Sequence, residues 1–349
     1  MSATSRSAGA DLRGTLRRLE RAVARRGRLV ARLTAQVAIL TEETRSPMER
    51  TLGTGPDREQ DLGVASYVLA ARMHRRHHVH VNAREGLREP ILDLAPKLPG
   101  RAWAVRNGVR VARELGRWPD PDAVDWDALP DRFVLKSSIG AGGVNVFPLV
   151  RRPDGGWTDM LTGEPTTRAE VTQALWSRHG DRSTYFAEEF LVGRGGRPGD
   201  VPDDVKVFCF YGRPFYVEVR RGDQSRARDV TPRVRTFTAD GTELHHVRAL
   251  LDPGDGDVGE PSDLATVVEV AGRLSATIRR PLQRLDFFET GDGLVFGEVT
   301  LSPGHPPALG TTWDRRMGEA YEDAYGRLLA DLAAEGALGV TFGDGPVSA

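Results

Sequence analysis

Residues 132–150, RFVLKSSIGAGGVNVFPLV, are the most informative stretch of the chain. Two apolar segments, RFVLK (132–136) and VNVFPLV (144–150), enclose SSIGAGG (137–143), which predicts a strand, a glycine-rich loop and a second strand. Glycines let backbone N–H groups approach phosphate oxygens, and Lys136 would end the first strand beside them. An ordinary hairpin turn is the alternative. The segment is not a Walker loop, because no GK[ST] follows, nor a dinucleotide fingerprint, because a strand follows instead of a helix.

Residues 283–301, QRLDFFETGDGLVFGEVTL, predict a β-hairpin. A three-residue loop at 291–293 sets Asp286 directly opposite Glu298. Like charges that face each other repel unless a cation separates them, and Mg²⁺ bound by one or two carboxylates plus phosphates is such a cation. The alternative is a solvated face on which Arg284 is the counter-ion. A four-residue loop would place the two carboxylates on opposite faces.

A further hairpin is predicted at 205–221, VKVFCFYGRPFYVEVRR, with its turn at Gly212 and Arg213. Lys206 lies on the same face of this hairpin as aromatic side chains. It either snorkels from a strand at the sheet edge or reaches a bound anion. Cys209 has no histidine partner in the pattern, so we expect it to pack in the core.

Residues 185–192, YFAEEFLV, predict a strand that contains Glu188 and Glu189 in an otherwise apolar run. The end of such a strand can pair its backbone with a purine edge, but exposed glutamates explain the pattern equally well. Helices are predicted at 168–179, 262–278 and 319–338. From residue 132 onward the chain is therefore mixed α/β.

The charges nearly balance, with 48 Lys+Arg and 49 Asp+Glu in 349 residues. This balance excludes a general polyanion binder, and aromatic residues do not interleave with arginines, so we expect no specific nucleic-acid partner. An apolar run of about 18 residues and an apolar signal core are both missing, so we expect no transmembrane segment and a cytoplasmic location. Lys97, Lys136 and Lys206 are the only lysines in an arginine-rich chain. Such retained lysines indicate sites that need a compact ammonium.

The N-terminal residues 1–46 differ from the rest of the chain. Apolar residues recur in alternating steps of three and four over 12–40, which predicts a coiled-coil helix of four heptads with Arg26 on its seam. Residues 1–41 carry nine arginines and two acidic residues, a net charge of +7 that leaves −8 for the remainder. We expect this helix to form a homodimer or to bind a partner helix. Packing against its own chain is the alternative.

Between this helix and the α/β part, residues 60–118 are predicted to be mainly helical, and the proline- and aspartate-rich 118–131 to be a linker without helix or strand. The tract 74–82, HRRHHVHVN, contains His74, His77, His78 and His80. It lacks the cysteines or carboxylates that would complete a metal site, so a solvated basic patch is the better interpretation. Mobile lids are expected in the loops at 151–165, 193–204 and 222–262.

Taken in order, several segments resemble the TupA-like group of ATP-grasp enzymes. They are DALPDRFVLKSSIGAGG (127–143), AEEFL (187–191), DVKVFCFYGRPFYVEV (204–219), RLDFFETGDGLVFGEVTLSPG (284–304) and WDRRMGE (313–319). The resemblance implies an α/β ATP-grasp fold of two α/β subdomains that enclose ATP, preceded by the N-terminal coiled-coil helix. The implied division is a coiled-coil helix (1–46), a helical region and linker (47–130), a small subdomain with the glycine-rich loop (131–193), a C-terminal subdomain with the metal-binding hairpin (194–340), and a tail (341–349).

The resemblance also implies roles for individual residues. The catalytic cations would be Lys136, Lys206 and Arg284, and the metal ligands Asp286 and Glu298. ATP would be bound by Lys136, Ser137, Ser138, Gly140, Gly142, Gly143, Glu188, Glu189, Leu191, Lys206 and Arg101. Three departures from the common pattern stand out. Thr300 replaces a frequent metal-binding asparagine, and the glycine-rich loop lacks a His-Gly-Ser start. The upstream nucleotide lysine has its counterpart in Arg101 or Arg106.

The implied activity is an ATP-dependent carboxylate–amine ligation with Mg²⁺ or Mn²⁺. The γ-phosphoryl group passes to a carboxylate, and an amine then attacks the acyl phosphate to give an amide, ADP and phosphate. Substrates would be small-molecule, glycan or peptide carboxylates and amines of a cell-surface polymer or a peptide-like metabolite, with Arg220 and Arg221 as candidates for binding the acceptor carboxylate. Two alternatives are an ATP-grasp kinase with a hydroxyl acceptor and a non-catalytic ATP-binding partner protein.

Overall fold

The computed structural model describes residues 65–82, 93–140, 143–195, 201–220, 234–245, 247, 258–303, 309 and 311–337. The chain divides into two compact units, Met1–Val64 and Ala65–Ala349. The predicted coiled-coil helix belongs to the first unit and lies outside the described residues, as do Gly142, Arg221 and the tail at 341–349.

The described part contains five α-helices and two six-stranded sheets. The helices are α1 (Tyr67–Asn82), α2 (Lys97–Arg106), α3 (Arg168–Arg178), α4 (Leu264–Ala276) and α5 (Thr311–Ala334). The strands are β1 (Glu114–Trp118), β2 (Arg132–Ser137), β3 (Val146–Arg151), β4 (Trp157–Asp159), β5 (Glu164–Thr166), β6 (Tyr185–Glu189), β7 (Asp204–Phe210), β8 (Arg213–Arg220), β9 (Val234–Thr238), β10 (Glu243–Leu244), β11 (Gln283–Thr290) and β12 (Gly293–Thr300). The predicted mixed α/β class is therefore confirmed.

The first sheet carries the glycine-rich loop. Its strand order is β1-β6-β2-β3-β4-β5, and all neighbouring strands are antiparallel. Phe133 and Leu135 alternate along β2 and are fully buried. They share a core with Trp157 of β4 and with Val171 and Leu175 of α3. This packing positions the end of β2, where the loop begins.

The second sheet has the order β10-β9-β8-β7-β11-β12, with β7 and β11 in its interior. Val205, Val207 and Cys209 of β7 belong to a core that includes Val267 and Ala271 of α4. Because side chains alternate along a strand, Lys206 faces the opposite side of the sheet. The face of the sheet toward α4 is therefore apolar. The opposite face carries polar residues and a second apolar cluster.

Helices α1 and α5 contribute this second cluster. Tyr67 of α1 and Met317 of α5 pack with Phe208, Phe210 and Tyr216 from β7 and β8. The cluster covers one part of the face that carries Lys206. The remainder of that face bears the polar residues of the candidate site.

The prediction of helix through residue 118 is wrong, because Glu114–Trp118 form β1. Their main chain pairs with β6, while Leu115 and Trp118 pack against the core of the first sheet. Tertiary pairing thus overrides a local helical pattern. Residues 119–131 form neither helix nor strand, as predicted, yet Trp126 from this segment is buried in the same core.

Other element boundaries also differ from the predictions. The hairpin of β7 and β8 turns at Tyr211 and Gly212, one residue earlier than predicted. Both residues adopt positive φ (42° and 79°), as type I′ turns require. Strand β4 and the start of β5 lie inside 151–165, which the sequence predicts to be a loop. Helix α5 begins at Thr311 rather than at 319.

The histidine tract is only partly described, because the side chains of residues 75–82 lie outside the described part. His74 is buried, and its Nε2 contacts the guanidinium of Arg280. The hydroxyl of Tyr321 lies 3.4 Å from its Nδ1. The predicted solvated patch is therefore wrong for His74, because packing of α1 against α5 covers this side chain.

Candidate functional site

A row of polar residues crosses the second sheet on the face opposite α4. Cross-strand pairing places Lys206 of β7 beside Asp286 of β11, and Asp286 beside Glu298 of β12. On the other side of Lys206, the row continues through Glu218 of β8 to Thr236 of β9. Five neighbouring strands therefore bring four ionisable side chains into one line.

Asp286 faces Glu298 as predicted, but the predicted three-residue loop is wrong. Thr290 pairs with Gly293, so the hairpin loop contains two residues. A bulge at Gly297 then shifts the register by one residue and brings the two carboxylates opposite each other. A Cβ atom at Gly297 would lie 3.1 Å from the carbonyl oxygen of Asp286, so a glycine suits this bulge.

Lys206 is buried on an interior strand, which excludes the edge position that the sequence left open. Its Nζ lies 2.6 Å from Oδ2 of Asp204 and 2.6 Å from Oδ2 of Asp286. Burial lowers the pKa of Lys206, but the charges of Asp204 and Asp286 outweigh this effect, so the pKa is raised overall. The ammonium is therefore charged and held between two carboxylates.

Arg284 binds the same carboxylate from the other side. Its Nε donates to Oδ1 of Asp286 at 2.6 Å, and an Nη donates to Oδ2 at 2.8 Å and to Oγ1 of Thr300 at 3.1 Å. Burial raises the pKa of Asp286, but the positive charges of Lys206 and Arg284 outweigh this effect, so the pKa is lowered overall and the carboxylate is ionised. With 3% of its surface exposed, Asp286 does not lie on a solvated face.

Glu298 has weaker contacts with cations. Nitrogens of Lys97 and Arg284 each lie 3.9 Å from its carboxylate oxygens. Burial and the neighbouring charge of Asp286 raise the pKa of Glu298. A divalent cation between Asp286 and Glu298 would relieve this repulsion, and carboxylate oxygens are the donors that Mg²⁺ prefers.

The two carboxylates do not make a complete metal site by themselves. Among the residues that the structure describes, no group of three or more His, Cys, Asp or Glu is placed to hold a metal ion. Asp286 and Glu298 therefore fit a cation that takes its remaining ligands from phosphate oxygens and water.

A second group of charges lies where the first sheet approaches β11. Lys136 forms an ion pair with Glu188, and its Nζ lies 6.0 Å from the ring centroid of Phe288 on β11. Arg101 of α2 donates to Glu188 at 2.6 Å and also to the carbonyl of Ala112. Glu188 is 3% exposed, so the interpretation as an exposed glutamate is wrong for this residue.

Glu189 points away from this group and binds the segment that precedes β1. Its carboxylate accepts from the N–H of Arg113 at 2.9 Å and lies 3.9 Å from Arg110. Its own N–H donates to the carbonyl of Arg113 at 2.9 Å. Strand β6 ends at Glu189 rather than at 192, so Leu191 follows the strand and is half-buried.

Lys97 joins the site, although the sequence offered no role for it. As the first residue of α2, it donates its N–H to the carbonyl of Ser138 at 2.7 Å and its Nζ to the carbonyl of Gly140 at 2.8 Å. Its side chain is 10% exposed, and burial lowers its pKa although Glu298 opposes that shift. Lys97 thus contacts the glycine-rich loop, whereas Arg106 is exposed at the end of the same helix.

Both serines of the glycine-rich loop are buried in the protein. Ser137 is fully buried, and its hydroxyl donates to the carbonyl of Ile139 at 2.6 Å. Ser138 is also buried. Gly140 and Gly143 adopt φ values of +108° and +74°, which favour glycine. The loop therefore depends on its glycines for its path.

Sequence reasoning missed two acidic residues of the charged face. Asp204 contacts Lys206, and Glu218 accepts from Nε of Arg220 at 2.5 Å. Both acids alternate with valines on strands β7 and β8, and this alternation with Lys206 was the available signal. Arg220, a candidate for binding an acceptor carboxylate, is thus held by Glu218 on this face.

Residues 194–322 match the family described as TupA-like ATP-grasp. The matched range contains Lys206, Arg284, Asp286 and Glu298, so the resemblance found in the sequence is confirmed there. A search of curated proteins finds no match.

Several solved ligase structures are similar to the chain. D-alanine–D-alanine ligase from Bacillus anthracis in complex with ATP is 12% identical, with a TM-score of 0.41 over 69% of this chain and 68% of that one. VanG D-Ala:D-Ser ligase from Enterococcus faecalis is 11% identical, with a TM-score of 0.42 over 67% and 61%. The ATP-grasp ligase PsnB, complexed with a phosphomimetic variant of its minimal precursor, Mg and ADP, is 16% identical, with a TM-score of 0.39 over 67% and 60%. The chain thus spans about three fifths of VanG and PsnB.

None of the described helices has the length and apolar character needed to cross a membrane.

Proposed function

We propose that this TupA-like protein is an ATP-dependent carboxylate–amine ligase that forms an amide through an acyl phosphate. The observation that carries the proposal is the pairing of Asp286 with Glu298 beside Lys206 and Arg284 on one sheet face. Two carboxylates and two cations at this spacing suit a site that neutralises phosphate charge. The TupA-like match over the same residues supports it.

Each cation has a distinct part in the proposed reaction. Lys97 and Lys136 would bind phosphates from the side of the glycine-rich loop, and Lys206 from the sheet face. Arg284 would stabilise the negative charge that develops as the γ-phosphoryl group passes to the substrate carboxylate. Asp286 and Glu298 would hold Mg²⁺ or Mn²⁺, which neutralises phosphate charge when bound. The protein residues need no covalent nucleophile for this chemistry, because positioning and electrostatics lower the barrier.

We further propose that the acid and the amine belong to a cell-surface polymer or a peptide-like metabolite, and that the basic N-terminal helix mediates self-association or binds a partner helix. The heptad pattern over 12–40 supports the second part of this proposal.

Trapping of the intermediate tests the reaction type. Purified protein is incubated with Mg·ATP, candidate acids and hydroxylamine, and hydroxamate and ADP are quantified. A ligase yields both, whereas a kinase releases ADP and a stable phosphate ester without hydroxamate. Glu298→Gln should abolish the reaction, while Glu319→Gln at an exposed position of α5 should leave it unchanged. Failure of the wild-type protein to bind Mg·ATP in calorimetry would instead support a non-catalytic role.

A further inference from the structure

The first observation concerns His179, which follows α3 and lies behind the glycine-rich loop. Its Nδ1 lies 3.1 Å from Oγ of Ser137, where the loop begins, and 3.0 Å from Nδ2 of Asn145, where the loop ends. Ser137 and Asn145 are also joined directly, because the N–H of Ser137 donates to the carbonyl of Asn145 at 3.1 Å. One ring nitrogen therefore contacts both ends of the loop.

The second observation is that the same ring supports the middle of the loop. A Cβ atom at Gly140 would lie 2.8 Å from Cε1 of His179, so the ring packs directly against this glycine. Gly140 has φ +108°, and its carbonyl accepts the Nζ hydrogen bond of Lys97 at 2.8 Å. The imidazole thus packs against the residue whose carbonyl binds the Lys97 ammonium.

The third observation is the backbone of the loop's last residues. Asn145 is buried and has φ +57°, a conformation that a residue other than glycine adopts at a cost unless its surroundings stabilise it. The contact of its side-chain amide with His179 is such a stabilising interaction. Because the hydroxyl of Ser137 donates to the carbonyl of Ile139, Nδ1 acts as the acceptor for the side-chain amide of Asn145. Removal of this nitrogen would loosen Asn145 and, through the hydrogen bond between Asn145 and Ser137, the beginning of the loop.

We propose that His179 is a positioning residue, which holds the glycine-rich loop at both ends and thereby places Lys97 for binding the phosphates of Mg·ATP. This inference rests on the proposed function for its last step only. Burial lowers the pKa of His179, and the positive charges of Arg182, Lys97 and Arg178 lower it further. The neutral ring is therefore favoured. A second cation beside Lys97 is thereby avoided.

Two amide substitutions separate positioning from mere packing. His179→Asn places an amide near the position of Nδ1, whereas His179→Gln places it near that of Nε2. His179→Leu removes both nitrogens at a similar volume. Hydrogen exchange of the backbone amides at 137–140 and 143–146 measures the loop without nucleotide. Calorimetry with Mg²⁺ and adenylyl imidodiphosphate, a non-hydrolysable ATP analogue, measures nucleotide binding.

His179→Gln and His179→Leu should increase exchange in the loop and weaken analogue binding by up to about tenfold, the loss expected for one neutral hydrogen bond. His179→Asn should restore both properties toward wild type. Unchanged exchange and affinity in a folded His179→Leu protein would overturn the proposal, as would an Asn variant no better than the Gln variant. If His179→Leu fails to fold, the Asn and Gln pair decides. If the wild-type protein binds no analogue, the proposed function fails, while the exchange data still judge the role of His179.

Discussion

Replacement of Lys97 by methionine is the sharpest test of the site. Methionine keeps an unbranched apolar stem but removes the ammonium that contacts Gly140 and faces Glu298. We expect the Lys97→Met protein to fold and to bind Mg·ATP poorly. The helix that carries residue 97 remains anchored, because its N–H donates to the carbonyl of Ser138 whatever the side chain.

The magnitude follows from the position of the ammonium. At the observed 3.9 Å from Glu298, one negative charge attracts it by about 4 kcal/mol with an effective dielectric constant of about 20. Desolvation offsets much of such an attraction, so a hydrogen bond to a charged group contributes about 1.5–3 kcal/mol net. If the ammonium of Lys97 binds a phosphate oxygen, its loss should therefore weaken nucleotide binding by about 10- to 150-fold.

Isothermal calorimetry with Mg²⁺ and adenylyl imidodiphosphate measures this loss. Arg106→Met is the matched control, because it removes a cation from the exposed end of the same helix. The control should bind the analogue as tightly as wild type. Circular dichroism and thermal unfolding show whether either variant is folded.

An affinity of the folded Lys97→Met protein within twofold of wild type would refute the role of Lys97. Equal weakening by Lys97→Met and Arg106→Met would show a general charge effect rather than a specific contact. Weakening by Arg106→Met alone would assign the upstream nucleotide cation to Arg106, the second of the two residues that the sequence offered for this role.

Three further predictions concern packing, reactivity and assembly. Gly318→Ala should destabilise the protein by about 1–3 kcal/mol in urea unfolding, because the new Cβ would lie 2.5 Å from the backbone nitrogen of Ser66. At Gly326 on the same helix a new Cβ meets no atom within 4 Å, so Gly326→Ala should stabilise the protein by up to about 1 kcal/mol. Equal effects of the two substitutions would contradict the packing of α1 on α5. Burial raises the pKa of the Cys209 thiol, so an aromatic disulfide reagent should modify it only after unfolding, and rapid labelling of the native protein would disagree with its core position. Leu19→Asp combined with Leu33→Asp should reduce the mass seen by light scattering if the N-terminal heptads mediate self-association; an unchanged oligomer would exclude the seam.

The sequence was a good guide to elements whose contacts are local. Alternation of apolar and polar residues predicted β2, β7 and β11, and the glycine-rich loop between β2 and β3, because a hairpin is specified by neighbours in the chain. The same reasoning paired Asp286 with Glu298. The predicted three-residue loop was wrong, but the predicted pairing was right. The two-residue turn shifts the register by one residue, and the bulge at Gly297 shifts it back.

Residues that act across long separations could not be assigned in this way. Lys97 precedes Gly140 by more than forty positions, and only the packing of α2 beside the first sheet brings its ammonium to the loop. Glu188 and Glu189 are adjacent in the chain, but their alternation on β6 sends one to Lys136 and the other to Arg113. No local pattern distinguishes these two destinations.

By itself, the sequence determined the mixed α/β class, the strand-forming segments and the TupA-like resemblance. The rarity of lysine also indicated three positions of interest. Only the tertiary structure decided which cation meets which carboxylate, that Lys206 is interior rather than at an edge, and that His179 contacts both ends of the loop. The physical reason is that periodicity determines which face a side chain occupies, whereas ion pairing depends on which faces the folded chain brings together.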